Sequence, residues 1–224
     1  MKKTANFFLV LLIILTTGFS ASAGKKEIRF STSEPDAKIY VDGKLMGAGQ
    51  LIITAPAYSC IVVKVEKLGY LTGNIEFCNK PDYTPPPKSY YYQMEKDDAY
   101  DASEATDIAN VDIEIKTHKS ELDAWKLLSQ IITSYFDVIE VTDRETGYMR
   151  TSWVVQSFKQ TTVRTRIIVK LGESDPLTYK IKLVSEVANG GQVSVKSDEL
   201  FKEWDRILRK YREVIHEVQT RVGN

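Results

Sequence analysis

Residues 27 to 78 hold short runs rich in Ile, Val and Tyr, and a turn signal interrupts them roughly every ten residues. The interruptions are Glu34-Pro35-Asp36, Asp42-Gly43, Gly47-Ala48-Gly49, Pro56-Ala57 and Leu68-Gly69-Tyr70. A chain broken this often has no room for long helices, so the pattern predicts a small all-β sandwich. Lys38-Ile39-Tyr40-Val41 followed by Asp42-Gly43 is its sharpest hairpin, because a two-residue type I′ turn needs positive φ at both central positions. Asp42 is therefore read as a turn residue and not as a ligand.

The two cysteines fit the same strand pattern. If Val63 to Val65 pairs with Gly73 to Ile75 around a tight loop at 68 to 70, Cys60 lies directly opposite Cys78. A disulfide there closes a loop worth about 3 kcal/mol in chain entropy. The alternative is two separate small apolar residues in the core. Two Cys without a nearby His make a poor metal site, and no metal is expected.

Lys2 and Lys3 precede an apolar run from Phe7 to Leu15, and Ala21-Ser22-Ala23 then supplies small residues suited to cleavage. The run is shorter than the roughly 20 residues a membrane-spanning helix needs, so residues 1–23 are expected to be an export signal. No transmembrane segment is expected in the mature chain, which is placed in the periplasm or outside a bacterial cell. Lys+Arg and Asp+Glu number 30 each, so no net field steers the chain toward nucleic acid.

The quoted residues also carry a resemblance. Ser33-Glu34-Pro35-Asp36-Ala37, Ile39-Tyr40-Val41-Asp42-Gly43-Lys44, Gly47 and the strand from Cys60 to Val65 leading into Gly69-Tyr70 resemble the PEGA family of extracytoplasmic β-sandwich modules. Asp36 stands where that family usually has Gly. The resemblance implies a binding or spacer role and no enzymatic one.

Residues 80–110 read as a linker: Pro81, Pro85, Pro86 and Pro87 stiffen it, and Glu95, Asp97, Asp98, Asp101, Glu104 and Asp107, against a single Lys96, then repel one another. Tyr90, Tyr91 and Tyr92 are either a last strand packing one face or an exposed stacking surface for sugar rings. From Val111 the pattern turns mixed. Val111, Ile113 and Ile115 alternate with charges as a strand, and Ser120 caps a helix with Leu122, Trp125, Leu128, Ile132, Tyr135 and Phe136 on one face. Strands are expected at 138–142, 147–155, 162–171 and 177–187. A closing helix is expected from Ser197 to Val222, about 37 Å long, whose last turns near Ile215, Val218 and Val222 overhang the sheet and seek a partner.

That order makes residues 111–224 an α+β helix-grip domain, an antiparallel sheet with two helices on one face. Asp123 to Leu128 leading to Asp143-Arg144-Glu145-Thr146-Gly147-Tyr148-Met149 is similar to the repeated domain of BamC-type lipoproteins. Those proteins are held by a lipid-modified Cys that this chain does not offer, so the resemblance carries the fold and not membrane assembly. The full expectation is a leader at 1–23, a sandwich at 24–79, a linker at 80–110 and the helix-grip domain at 111–224.

Chemistry is sparse. His118 and His216 are the only histidines, read as a loop residue and a helix-surface residue, and no nucleophile, phosphate-loop or zinc motif occurs. No catalytic residue and no cofactor are expected. Arg150, Arg164 and Arg166 are either a basic patch for an anionic glycan or lipid headgroup, or the solvated side of a one-sided sheet. The expected function is non-catalytic: binding or scaffolding for an envelope protein or cell-surface assembly. Its rival is a glycan or cell-wall polysaccharide-binding module, and a hydrolase comes third.

Overall fold

The computed structural model describes residues 24–223, so the expected leader lies outside the described residues. These residues form two compact units, 24–67 with 72–94 and 68–71 with 95–223. The chain is strand-rich with few helices.

The first unit contains β1 (Lys26–Thr32), β2 (Lys38–Val41), β3 (Lys44–Ala48), β4 (Gln50–Ala55), β5 (Cys60–Glu66), β6 (Gly73–Cys78) and β7 (Ser89–Tyr92). They make two sheets, ordered β4-β1-β7 and β3-β2-β5-β6. Alternation along each strand turns one row inward: Ile28, Phe30 and Ile53 from the first sheet, and Ile39, Ile61, Val63 and Val65 from the second, are all buried. Asp42 and Gly43 take φ of 48° and 81°, as the type I′ turn requires, and the Asp42 carboxylate accepts the Val62 N–H at 2.8 Å. Gly49 is needed for a different reason. At φ +66° its backbone passes so close to Pro35 that a Cβ would stand 2.2 Å from the Pro35 carbonyl oxygen.

Cys60 pairs directly with Cys78 in the β5–β6 ladder, and the two are bonded, with Cα atoms 4.0 Å apart. Asn79, the next residue, donates through Nδ2 to the carbonyls of Gly24 and Pro56 at 3.0 and 3.2 Å. The bridge and the amide together close the end of the unit where the chain enters β1 and leaves β4.

The second unit contains α1 (Asp98–Asp101), β8 (Ser103–Ala105), β9 (Asp112–Lys116), α2 (Glu121–Tyr135), β10 (Ile139–Asp143), β11 (Tyr148–Thr151), β12 (Val154–Ser157), β13 (Thr161–Ser174), β14 (Leu177–Asn189), β15 (Lys202–Glu203), β16 (Arg206–Leu208) and α3 (Val214–Val222). The main sheet runs β10-β11-β13-β14-β15, with β12 also on β13 and β9 also on β14. Ser120 caps α2 as expected, accepting the Asp123 N–H at 3.2 Å. The inward row Ile167, Val169, Tyr179, Ile181 and Leu183 shares one core with Leu128, Ile131 and Ile132 of α2 and Val214 and Val218 of α3. Leu122, expected on the buried stripe, is instead 54% exposed.

The expected linker is not a free strut. β7 pairs in parallel with β1, and β8 pairs with β16. Tyr70 bridges to Lys96, and the Asp97 N–H donates to the Gly69 carbonyl at 3.0 Å. Stiff prolines and acidic spacing describe a linker only where the flanking residues find no backbone partner, and here they do.

The single closing helix is also overturned. Residues 198–222 form a short turn at Asp198–Leu200, then β15, β16, a second turn at Arg209–Tyr211, and only then the nine-residue α3. The apolar spacing of Phe201, Trp204, Ile207, Leu208 and Tyr211 mimics a helical stripe, yet these residues pack at different places, Trp204 only half-buried. Phe201 lies under Arg164, Ile207 and Leu208 sit in a strand, and Tyr211 stacks on Phe136 with centroids 4.7 Å apart. Burial raises the Tyr211 hydroxyl to about 12. Periodicity reports spacing, and tertiary pairing decided the backbone. The expected overhang disappears with the long helix, because Ile215, Val218 and Val222 are all buried. α3 is tied to α2 by the Tyr135 hydroxyl, which donates to Glu217 Oε2 at 2.9 Å. Arg221 and Tyr135 together hold the Glu217 carboxyl below its ordinary range.

Asn110 seams β14. It sits at φ 60° between the stretches of chain that pair with β14 through β9 and β15. Its Nδ2 donates to the carbonyls of Ser185 and Trp204 at 3.0 and 2.9 Å, and its Oδ1 accepts the Ser185 N–H at 2.9 Å.

Two stability outcomes follow. A Cys60→Ala/Cys78→Ala double variant is expected to lose about 3 kcal/mol in urea unfolding, and dithiothreitol should bring the parent to the same level without moving the variant. Asn110→Ala leaves the Ser185 N–H and the Trp204 carbonyl unpartnered, and should cost about 2 kcal/mol by the same measurement.

Candidate functional site

The three tyrosines alternate because they lie on one strand. Tyr90 packs between the sheets, 5.7 Å from Phe30 and 5.2 Å from Phe77 by ring centroids. Tyr92 lies against Gly73, where a Cβ would come within 2.3 Å of its hydroxyl, so a larger residue there would have to displace the ring. Tyr91 alone faces outward, 60% exposed, in a row with Ser31 and Gln50. The three rings therefore do not form one stacking surface.

The arginines divide in a similar way. Arg164 is 4% exposed and lies between Trp153 and Phe201, its guanidinium carbon 4.3 and 4.0 Å from their ring centroids. It pairs with Glu186 at 2.6 Å and Asp198 at 2.5 Å, and donates to the Val195 carbonyl at 2.8 Å. Arg164 is thus an internal pin, in contrast to both the patch and the solvated-face readings. The reason is the cover over that face. The chain breaks between β11 and β12 at Ser152-Trp153, laying the indole over β13, and the segment from Gly190 to Phe201 folds across the same side through Thr162, whose hydroxyl donates to the Gly190 carbonyl at 2.7 Å.

Arg166 also stacks on Trp153, at 4.0 Å, and its buried Nε has no hydrogen-bond partner. Burial and the nearby Arg150 pull its pKa below the ordinary guanidinium value. Arg150 itself pairs with Glu140 at 3.2 Å. Of the expected patch, one member is consumed internally, one is paired and one is half-buried on an indole.

Cys60, Cys78 and Glu76 stand close enough to suggest a metal site, but the two sulfurs are bonded to each other and offer no thiolate. His118 lies in the loop before α2, and His216 is on the exposed face of α3. Among the described residues no helix is long and apolar enough to cross a membrane.

A feature the sequence reading missed is a cleft of about 400 Å³ in the second unit, lined by Asp97, Ala99, Tyr100, Thr161, Trp204 and Asp205 among others. Arg206 lies in its wall. The Arg206 Nε donates to Ser103 Oγ at 2.8 Å, its terminal nitrogen reaches the Ser103 and Tyr100 carbonyls at 3.0 and 3.2 Å, and its guanidinium carbon is 3.8 Å from the Tyr100 ring centroid. Tyr100 belongs to α1 and Ser103 opens β8, so Arg206 ties the two elements together. The lining comes from the expected linker, the start of β13 and the expected helix. The only available signal was a Trp-Asp-Arg triplet, which reads as an ordinary amphipathic turn.

No protein-family model matches the chain, and no curated protein matches it.

The arginine geometry separates two variants. Arg164→Met strands Glu186 in a partly buried site and should cost about 3 kcal/mol. Arg166→Met removes a cation without an acidic partner and should change stability by less than about 1 kcal/mol. Chemical denaturation of both checks the pair.

Proposed function

We propose that this chain is an exported, non-catalytic envelope protein that recognises another protein or a cell-surface assembly. In this reading the first unit is a PEGA-like sandwich and the second a helix-grip-like α+β domain. The leader pattern at 1–23 and the Cys60–Cys78 bridge support maturation in an oxidising compartment.

The observation that carries the reading is the β3 edge. β3 ends the four-stranded sheet and has no strand on its outer side among the described residues. Its Leu45 and Met46 are 53% and 52% exposed. An edge strand presents unpaired backbone donors and acceptors, and apolar side chains beside them favour addition of a partner strand over solvation. Proteins that avoid such pairing place charge on the edge, and here Lys44 is the one charged residue of the strand.

Crosslinking in the native envelope followed by mass spectrometry tests this. A Leu45→Glu/Met46→Glu variant changes only exposed side chains, so its melting temperature should stay near the parent's. Its partner crosslinks through the first unit should fall by about tenfold or more, and an unchanged crosslink pattern would remove β3 as the contact.

A further inference from the structure

We infer that Arg166 and Arg150, on the outward face of β13 and β11, form a binding site for an oxyanion of the phosphate or sulfate type. The site lies in the second unit and is independent of the β3 edge.

Three observations converge. The first is an unbalanced charge. The charged groups that act on Arg166 are Arg150, Arg164, Glu140 and Glu186, and both carboxylates are already engaged, Glu140 by Arg150 at 3.2 Å and Glu186 by Arg164 at 2.6 Å. Arg166 is left half-buried without a counter-ion among the described residues. The second is placement. Arg150 pairs with Ile168, so Arg166, two residues along β13, is its diagonal neighbour on the same face, where backbones stand about 7–8 Å apart. Two guanidiniums so placed repel each other, and an anion between them reverses the sign of that interaction. The third is the set of donors left over. Trp153 holds the Arg166 guanidinium at 4.0 Å, and Nε is shut away from solvent, whereas the terminal nitrogens reach solvent and make no hydrogen bond among the described residues. Glu140 takes Nε and one terminal nitrogen of Arg150, and the other terminal nitrogen has no partner among the described residues.

Ligand class follows from these groups. A cation is repelled, and a neutral molecule leaves the surplus charge where it is. A guanidinium lying flat on a ring keeps its edge for in-plane donation, the geometry that oxyanions match. The two oxygens of a carboxylate are satisfied by a single guanidinium fork, whereas phosphate or sulfate has further oxygens with which to reach the second. Stability gives Arg166 no comparable role. Its burial is opposed by Arg150 and returns no ion pair, and charges held at such a cost gather at binding sites.

The full mature chain, isotope-labelled, is titrated with inorganic phosphate, sulfate and glycerol phosphate at constant ionic strength in chloride. The shielded Arg166 Nε–H and the Trp153 indole N–H are the NMR reporters, the indole serving for the variants. Both should shift saturably with at least one of the three anions, with Kd on the order of 1 mM. Arg166→Met should abolish binding. Arg150→Met, and Arg166→Lys, which keeps the charge but loses the planar fork, should each weaken it about fivefold or more. Lys170→Met, which removes an exposed cation from the same face of β13, should leave it within about twofold. Arg166→Met should unfold near the parent's denaturant midpoint, which separates loss of binding from loss of fold, and the anion should raise the melting temperature of the parent and not of that variant. Equal affinity for phosphate and glycerol phosphate marks the free ion as the ligand, and tighter binding of the ester marks a group carried on a larger molecule; each supports the site. No saturable shift with any of the three anions overturns the inference. So does equal binding by parent, Arg166→Met and Arg150→Met.

Discussion

β13 and β14 pair from Thr161 opposite Asn189 to Ser174 opposite Leu177, and this long antiparallel ribbon fixes everything else in the second unit. A two-stranded ribbon is marginal alone, because both of its faces and both of its edges must be dealt with. Its inward row is covered by α2 and α3. Its edges are filled in pieces: β11 and β12 share β13, while β9 and β15 share β14. Each edge has a junction where ladder bonds would otherwise lapse. At the first, the Thr151 hydroxyl accepts the Ile167 N–H at 3.0 Å, and at the second Asn110 supplies three hydrogen bonds. Side chains substitute for strand backbone at both junctions, Thr151 fully buried and Asn110 half-buried.

The outward face explains the arginines. A one-sided sheet leaves that face to solvent, but here the ends of the ribbon are covered by Trp153 and by residues 190–201. Covering a face that bears Arg164 forces its charge to be neutralised in place, and Glu186, Asp198, the Val195 carbonyl and two aromatic rings do so. Arg166, two residues along on the same face, has the indole but no carboxylate. Period-two spacing makes two residues neighbours without giving them the same environment.

What could be read from the chain was set by how local the controlling interaction was. The Asp42-Gly43 turn, the Ser120 cap and the Cys60–Cys78 register depend on a few residues and one hairpin, and the structure has them. Expectations failed where the partner is distant in sequence. Residues 80–110 read as linker, with Tyr90 to Tyr92 open as a strand, because β1 and β16 are far away in the chain, and 198–213 read as helix because their apolar spacing fits one. The strand expected at 147–155 is broken at Ser152-Trp153, a break recognisable only once Arg164 and Arg166 lie beneath the indole.

The missed cleft and the failed helix have one cause. A helix through residues 202–211 would have turned Trp204, Asp205 and Arg206 to different sides and left α1 and β8 unpaired. Held instead between β15 and β16, these residues are fixed by backbone contacts on both flanks: the Trp204 N–H donates to the Ser185 carbonyl at 2.9 Å, and the Asp205 carbonyl accepts the Thr106 N–H at 3.2 Å. Arg206 then donates to the carbonyls of Tyr100 in α1 and Ser103 in β8. The same tertiary pairing that overrode helical propensity thus brings Trp204, Asp205 and Arg206 together in the wall of one cleft.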